Sequence, residues 1–403
     1  MSIVRLSPVV QGLASSATLV LNARIQAMQA EGIDVINFTA GEPDFPTPRR
    51  ISGAAIRAIE SGLTRYTAVR GILPLRKAIV RRIALDYGLR FDPDDVVVGN
   101  GGKQCLYNLW RSLLEPGDEV VVIAPYWVSY PPQIQLAGGV PVVVHTRLED
   151  GFQVDVKALE AACGPRTRAI LINSPANPSG VALRDDVMAD IARLCCERDL
   201  ILATDDLYCK MVYGGFVFHS PGALVPEVVR RLVIIGGVSK AYAMTGWRIG
   251  YALGPRSLID AMIKVQAQST SNPCTISQYA ALEALTGAAG DEEVAAMVAE
   301  FERRRDRMYE LITAIPGLEC VKPEGAFYVF PRVSSYFGRR TPDGRIVASA
   351  TDLLEYLIDT ARVAGVPGDA FGGPEHIRFS YACNVETIEK GMARVAQALD
   401  RLR

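Results

Sequence analysis

Residues 234–250 read IIGGVSKAYAMTGWRIG, and the rest of the chain is best understood outward from them. The run LVIIGG (232–237) has the marks of a short buried strand, being β-branched and closed by glycine. Ser239 and Lys240 follow at once, and only uncharged residues separate Lys240 from Arg248. A lysine among apolar and small residues gives up its proton readily, because burial disfavours the charged form. The neutral amine can then condense with an aldehyde, while the arginine fork suits a phosphate. An imine-forming lysine and a phosphate-binding arginine together point to pyridoxal phosphate, a cofactor held through both features. The plain alternative is a snorkelling surface lysine beside a structural arginine.

At 403 residues the chain is long enough for two or three domains of ~150 residues. Its 49% hydrophobic and 22% charged residues describe an ordinary globular chain able to bury a large core. Lys+Arg 43 against Asp+Glu 44 gives a net charge of -1, so nothing in the composition favours nucleic acid or an anionic membrane as a partner. No apolar run approaches the ~20 residues of a membrane span. The opening MSIVRLSPVVQGLASS lacks the apolar core of a signal peptide, and a cytoplasmic location is expected. The eight cysteines show no CxxC spacing, which favours free thiols in a reducing compartment. His145, His219 and His376 are isolated from one another, so a histidine-based zinc or Ser-His-Asp site is poorly supported.

Between residues 48 and 290, strand and helix patterns alternate. VVVGN (96–100), EVVVIA (119–124), VPVVVH (140–145), AILIN (169–173), LILATDD (200–206), LVIIGG (232–237) and RIGYALG (248–254) are apolar runs separated by helical periodicity. The fold class is therefore α/β, a mostly parallel sheet covered by helices on both faces, forming one large domain over 48–290. Ahead of it lie a helix (17–30), a short strand VINF (35–38) and the glycine- and proline-rich loop TAGEPDFPTP (39–48). Behind it come a long helix (292–314), a strand-like pair around Pro323-Glu324-Gly325, an exposed charged loop (337–345), a helix (351–362), the strand HIRFSYA (376–382) and a last helix. These elements do not alternate regularly, so residues 1–47 and 291–403 are expected to form a smaller α+β domain.

Several residues at strand ends carry chemistry. Asp205 closes LILATDD, at the edge where open parallel sheets bind ligands. A carboxylate beside a pyridine nitrogen keeps that nitrogen protonated and the ring electron-withdrawing; a loop or capping aspartate is the alternative. Gly101-Gly102-Lys103 opens a helix after a strand, where backbone N–H groups can approach a phosphate, although tight turns need glycine too. Tyr126 and Trp127 follow EVVVIA and suit either stacking on a flat ring or plugging the core. Asn177 in SPANPSG and Tyr208, shortly after Asp205, can hydrogen-bond a phenolic oxygen. Arg378 lies mid-strand, suited to a bidentate carboxylate grip or a buried ion pair.

With these residues assembled, the chain resembles the class I aminotransferases of the fold-type I pyridoxal-phosphate enzymes, especially the bacterial aspartate and prephenate aminotransferases. The resemblance spans essentially the whole chain and rests on TAGEPDFPTP, NGGKQ, PYWVSYP, NSPANPSG, DDLY, SKAYAMTGWRIGY, EGAFYVF and HIRFSYA. It implies that Lys240, with Ser239 beside it, binds the cofactor covalently and moves the proton of a 1,3-shift. It further implies that Asp205 pairs with the ring nitrogen, Tyr208 and Asn177 touch the ring oxygen, and Trp127 stacks on the ring. Gly101, Gly102, Lys103 and Arg248 fall in the phosphate and substrate region. By the same resemblance, Tyr66 reaches the phosphate of the neighbouring subunit in a homodimer. Arg378 holds the substrate α-carboxylate, with Gly41 closing over it and Trp127 and Asn177 alongside. Lys103, Ser16 and Thr18 take a distal carboxylate. The implied activity is ping-pong transamination between a dicarboxylic amino acid, aspartate or glutamate, and a 2-oxo acid.

Three places depart from the family pattern. Gly237 stands where a phosphate-holding serine is common, Ala176 opens the usual NNP or HNP triplet, and Asp206-Leu207 fill the middle of DE-Y. Other readings stay open on the sequence alone: prephenate or aromatic transamination, a lyase, cyclase or oxidative reaction on a specialised amino acid, or a non-catalytic module of the same fold.

Overall fold

The computed structural model describes residue 4 and residues 6–13, 17–286 and 289–403. Strand β1 (Ile36–Asn37) precedes a seven-stranded sheet built from β2 (Val96–Gly99), β3 (Glu119–Ala124), β4 (Val140–His145), β5 (Thr167–Asn173), β6 (Ile201–Asp205), β7 (Leu232–Gly237) and β8 (Gly250–Leu253). Their order across the sheet is β2-β8-β7-β6-β5-β3-β4. All run parallel except β8, which is antiparallel to both neighbours. Alternate residues feed two separate cores: Val121, Leu202 and Ile234 face one, Val120, Ala203 and Val233 the other. Helices cover both faces, which is why these strands read as continuous apolar runs.

The structure shortens RIGYALG. Arg248 takes a left-handed backbone with φ 55, and the strand starts only at Gly250. Because β8 runs against its neighbours, its first residue and not its last lies at the shared edge, with Gly250 opposite both Gly237 and Gly99. Arg248 therefore arrives beside the end of β7.

The remaining strands are short: β9 (Tyr328–Val329), β10 (Val363–Ala364), β11 (Val366–Pro367) and β12 (Ile377–Ser380). β11-β12-β9 form an antiparallel sheet, and β1 pairs with β10 in parallel. The strand-like pair expected around Pro323 is not a hairpin. Residues 318–322 contribute only an isolated bridge, Glu319 to Arg332, and β9 pairs with β12. Pro323 has no N–H to give, and Gly325 is wedged against the Pro175 ring and the Met211 carbonyl. A third core gathers residues 25–38 with residues 301–402 and also takes in Tyr208, Met211 and Tyr213 from just beyond β6.

All eight cysteines are free. His376 is buried and stacks on Phe330 at 4.7 Å, while His219 pairs with Asp185 at the surface. No helix among the described residues is long and apolar enough to cross a membrane.

Candidate active site

Successive strand ends along one edge of the sheet bring the predicted residues together. β2 runs into Gly101 and Gly102, β3 into Trp127, β5 into Asn177, β6 ends at Asp205 and β7 leads to Lys240. In open α/β sheets this edge is where ligands sit.

The Lys240 ammonium donates to the Gly41 carbonyl at 2.6 Å, so the loop 39–48 lies over the end of β7. Burial of the amine is the main reason its pKa falls to about 8; Arg248 and Arg378 push the same way, and Glu42 and Asp205 oppose them. Asp205 is 3% exposed, and burial raises its carboxyl to about 6. The Tyr130 hydroxyl donates to Asp205 Oδ2 at 2.7 Å and resists that rise. Asn173 braces the same corner, its amide donating to the Asp205 carbonyl at 2.7 Å while its Oδ1 accepts from the Asn177 N–H at 2.9 Å.

Arg378 is 2% exposed and forms no ion pair among the described residues, which removes the buried-ion-pair reading. It donates to Asn177 Oδ1 at 2.8 Å and to the Thr39 carbonyl at 2.9 Å, and its guanidinium lies 4.4 Å from the Tyr328 ring. Its Nε has no partner. Burial lowers its pKa, yet a guanidinium keeps its charge in any accessible range. Such a group is costly unless something anionic arrives to meet it. Tyr208 sits beside it, sharing a 2.9 Å hydrogen bond with the Tyr328 hydroxyl.

At the glycine turn, Gly101 has φ 83, and a Cβ there would lie 2.5 Å from the Arg248 guanidinium. Only glycine lets the two meet. Arg248 is exposed and donates to the Thr245 carbonyl at 2.9 Å. The Lys103 ammonium lies 4.8 Å from the centre of the Trp127 ring. Partial desolvation and then the nearby Arg248 lower the Lys103 pKa. Ser239 is buried next to Lys240. The predicted loss at Gly237 has a structural cause: a Cβ there would lie 2.9 Å from Leu207 Cδ2 and 3.2 Å from the Ile249 carbonyl. Leu207 occupies the space a serine would need.

Tyr66 does not join this group, and Ser16 and the Thr18 side chain lie outside what the structure describes. Tyr66 is 91% exposed. The Thr18 backbone falls in the helix Ala17–Ala30. Tyr130, Asn173, Tyr328 and Thr39 were not singled out by sequence. Each lies inside one of the motifs quoted above, but nothing local shows which way a hydroxyl or amide faces.

Residues 33–395 match the family model described as aminotransferase class I and II. The chain belongs to this family. It is an aminotransferase with the α/β fold of that group. An aspartate aminotransferase from Geobacillus stearothermophilus is 41% identical over 399 residues, covering 98% of this chain and 99% of that protein. An aspartate/prephenate aminotransferase from Cereibacter sphaeroides is 44% identical over 384 residues, covering 94% and 95%. Among solved structures, the aspartate aminotransferase from Rhizobium meliloti superposes with a TM-score of 0.96 at 42% identity, covering 99% of this chain and 100% of that one. The Thermus thermophilus enzyme solved with maleate gives 0.92 at 41% identity, covering 98% and 100%.

Proposed function

We propose that this aminotransferase uses pyridoxal phosphate to move the amino group of aspartate or glutamate to a 2-oxo acid, as a homodimer with shared active sites. The observation that carries the reading is the buried Arg378 guanidinium, without an acidic partner among the described residues, in the same charged cluster as a lysine whose pKa is lowered to about 8.

The residues present fit the cofactor. Gly101 forms a cradle that a Cβ would fill, Arg248 covers it, Asp205 is a buried acid that forms no ion pair among the described residues, and Lys240 is easily deprotonated. When bound, pyridoxal phosphate supplies an aldehyde and an electron-withdrawing ring that acidifies the substrate α C–H bond. In this reading the chain's own groups do the rest. Asp205, ionised above about pH 6, would face the ring nitrogen, Tyr208 and Asn177 would hydrogen-bond the ring oxygen, and Trp127 would lie against the ring. Ser239 and the Gly102 N–H would hold phosphate with Arg248, while the Gly101 N–H is given to the Gly99 carbonyl at 2.9 Å and shapes the turn. Arg378 grips the α-carboxylate through its free edge, with the Gly41 loop closing above. The Lys240 amine would take the α-proton and deliver a proton at the far end of a 1,3-shift, across the nitrogen, a task suited to a base titrating near 8.

For the distal carboxylate, support comes from Lys103, an ammonium at the face of Trp127, with Ser16 and Thr18 assigned by resemblance. The solved relative that carries maleate, a dicarboxylate, is consistent with this. A second reading, prephenate as acceptor, is favoured by the relatives named aspartate/prephenate aminotransferases.

We also read residues 48–290 and residues 1–47 with 291–403 as two domains. The loop 39–48 would join them: Thr47 Oγ1 donates to the Ala243 carbonyl at 2.6 Å, and Asp44 pairs with Arg304 at 2.7 Å. The exposed apolar side chains Ile56, Ile59, Leu63 and Leu73, beside Tyr66, fit burial against a second copy.

The test is substrate choice in Lys103→Ala. The KM for aspartate should rise roughly tenfold, while a donor without a distal carboxylate is unaffected. Equal loss on both donors would remove the dicarboxylate assignment.

A further inference from the structure

The segment that carries Tyr66 is exposed from residue 61 to residue 66, yet its backbone is fixed by two side chains with no exposure at all, Gln266 and Gln278. Both come from helices on the interior side, Arg256–Ala267 and Thr275–Thr286. Gln278 Nε2 donates to Thr67 Oγ1 at 3.1 Å and to the Pro273 carbonyl at 2.9 Å, and its Oε1 accepts from the Ile72 N–H at 2.8 Å. Gln266 Nε2 donates to the carbonyls of Val69 and Val98, both at 2.8 Å, while its Oε1 accepts from Asn108 at 3.1 Å.

These bonds do more than satisfy polar groups. Val98 belongs to β2, whose last residues run into the Gly101 turn, and the Val98 N–H donates to the Arg70 carbonyl at 3.0 Å. Gln266 therefore clips the Tyr66 segment to the strand that forms the phosphate cradle. Gly71 closes the clip, since with φ 96 and Val98 Cγ2 at 2.6 Å from any Cβ no other residue fits. Arg70 adds ion pairs to Asp94 at 2.9 Å and Asp260 at 2.6 Å, and Thr275 donates to the Arg65 carbonyl at 2.7 Å. A surface loop is ordinarily more mobile than the elements it connects. Here buried amides are committed to fixing a loop whose main side chain, Tyr66, is 91% open.

We propose that Gln278, acting through Thr67, is a positioning residue, which sets Tyr66 of one subunit at the correct height and direction to complete the cofactor site of a second copy of the chain. This rests on the shared-site reading above. A group that must reach across an interface gains nothing from the site it serves until the subunits meet, so its orientation has to be fixed in advance from within its own subunit.

The test measures pyridoxal-phosphate dissociation from the intact homodimer, by fluorescence, for Thr67→Val and Gln278→Met, each alone and combined with Tyr66→Phe. Thr67→Val removes one hydroxyl at a partly exposed position and keeps the shape, so it tests the idea even where Gln278→Met fails to fold. Tyr66→Phe is expected to weaken cofactor binding roughly tenfold. Thr67→Val and Gln278→Met should each weaken it about threefold or more, and add nothing further in the Y66F background, because they act through Tyr66. If Tyr66→Phe binds the cofactor as the parent does, the shared site is wrong and the proposal falls with it. If Tyr66→Phe weakens binding but the other changes have no effect, or have the same effect in both backgrounds, the shared site stands and the positioning role is overturned.

Discussion

The Tyr130 hydroxyl donates to Asp205 Oδ2 at 2.7 Å, joining the helix that follows β3 to the end of β6. The bond orients the carboxylate and lowers its pKa against the larger effect of burial. Tyr130→Phe should therefore raise the Asp205 pKa above about 6 and move the pH at which cofactor affinity is half-maximal upward. At pH 7 the cofactor should bind roughly tenfold more weakly. Titrating affinity against pH checks this, and an unmoved midpoint contradicts it.

Asp205 also carries a cost to the folded chain. Its folded pKa is raised from 3.8 to about 6, so the folded state binds this proton more tightly than the unfolded state. Its contribution to stability falls as pH rises between those values and stays lost above them. Cofactor-free Asp205→Asn should be more stable than the parent at pH 7.5, by about 2 kcal/mol, and equally stable near pH 3.5. Urea unfolding at the two pH values decides it.

Arg378→Lys keeps a charge but loses the planar fork that reaches Asn177, Thr39 and a substrate carboxylate at once. The KM for aspartate should rise about 100-fold, because a desolvated charge pair is disrupted. Steady-state kinetics showing less than a threefold change would place the α-carboxylate elsewhere.

Gly237→Ser would bring a side chain into Leu207, and overpacking of this kind costs about 1–3 kcal/mol. Adding Leu207→Ala should recover most of the loss, since the two positions share one space. Thermal unfolding of the single and double variants would show the coupling, and additive losses would refute it.

Much of this site was legible in the sequence for a simple reason. Asp205 and Lys240 each close or follow a β-branched run, and parallel strands collect such ends along one edge. The direction of β8 was not legible, because an apolar run carries no polarity, and it is this direction that brings Arg248 beside β7. Arg378 was readable as an unusual charge in a strand; its lack of an acid partner among the described residues was not, since that depends on every other element. At Gly237 the sequence shows only a missing hydroxyl, whereas Leu207, distant in sequence, fills that place. The same holds for Tyr130 and Tyr328, whose motifs were plain but whose hydroxyl directions come from packing.

The most direct test of the central claim is a single-turnover experiment on cofactor-loaded protein with aspartate and no oxo acid. The account predicts one equivalent of oxaloacetate per active site and then a stop, after which 2-oxoglutarate releases one equivalent of glutamate and restores the starting absorbance. Continued product without an added oxo acid, or none with any dicarboxylic donor, would contradict transamination of aspartate and glutamate by this chain.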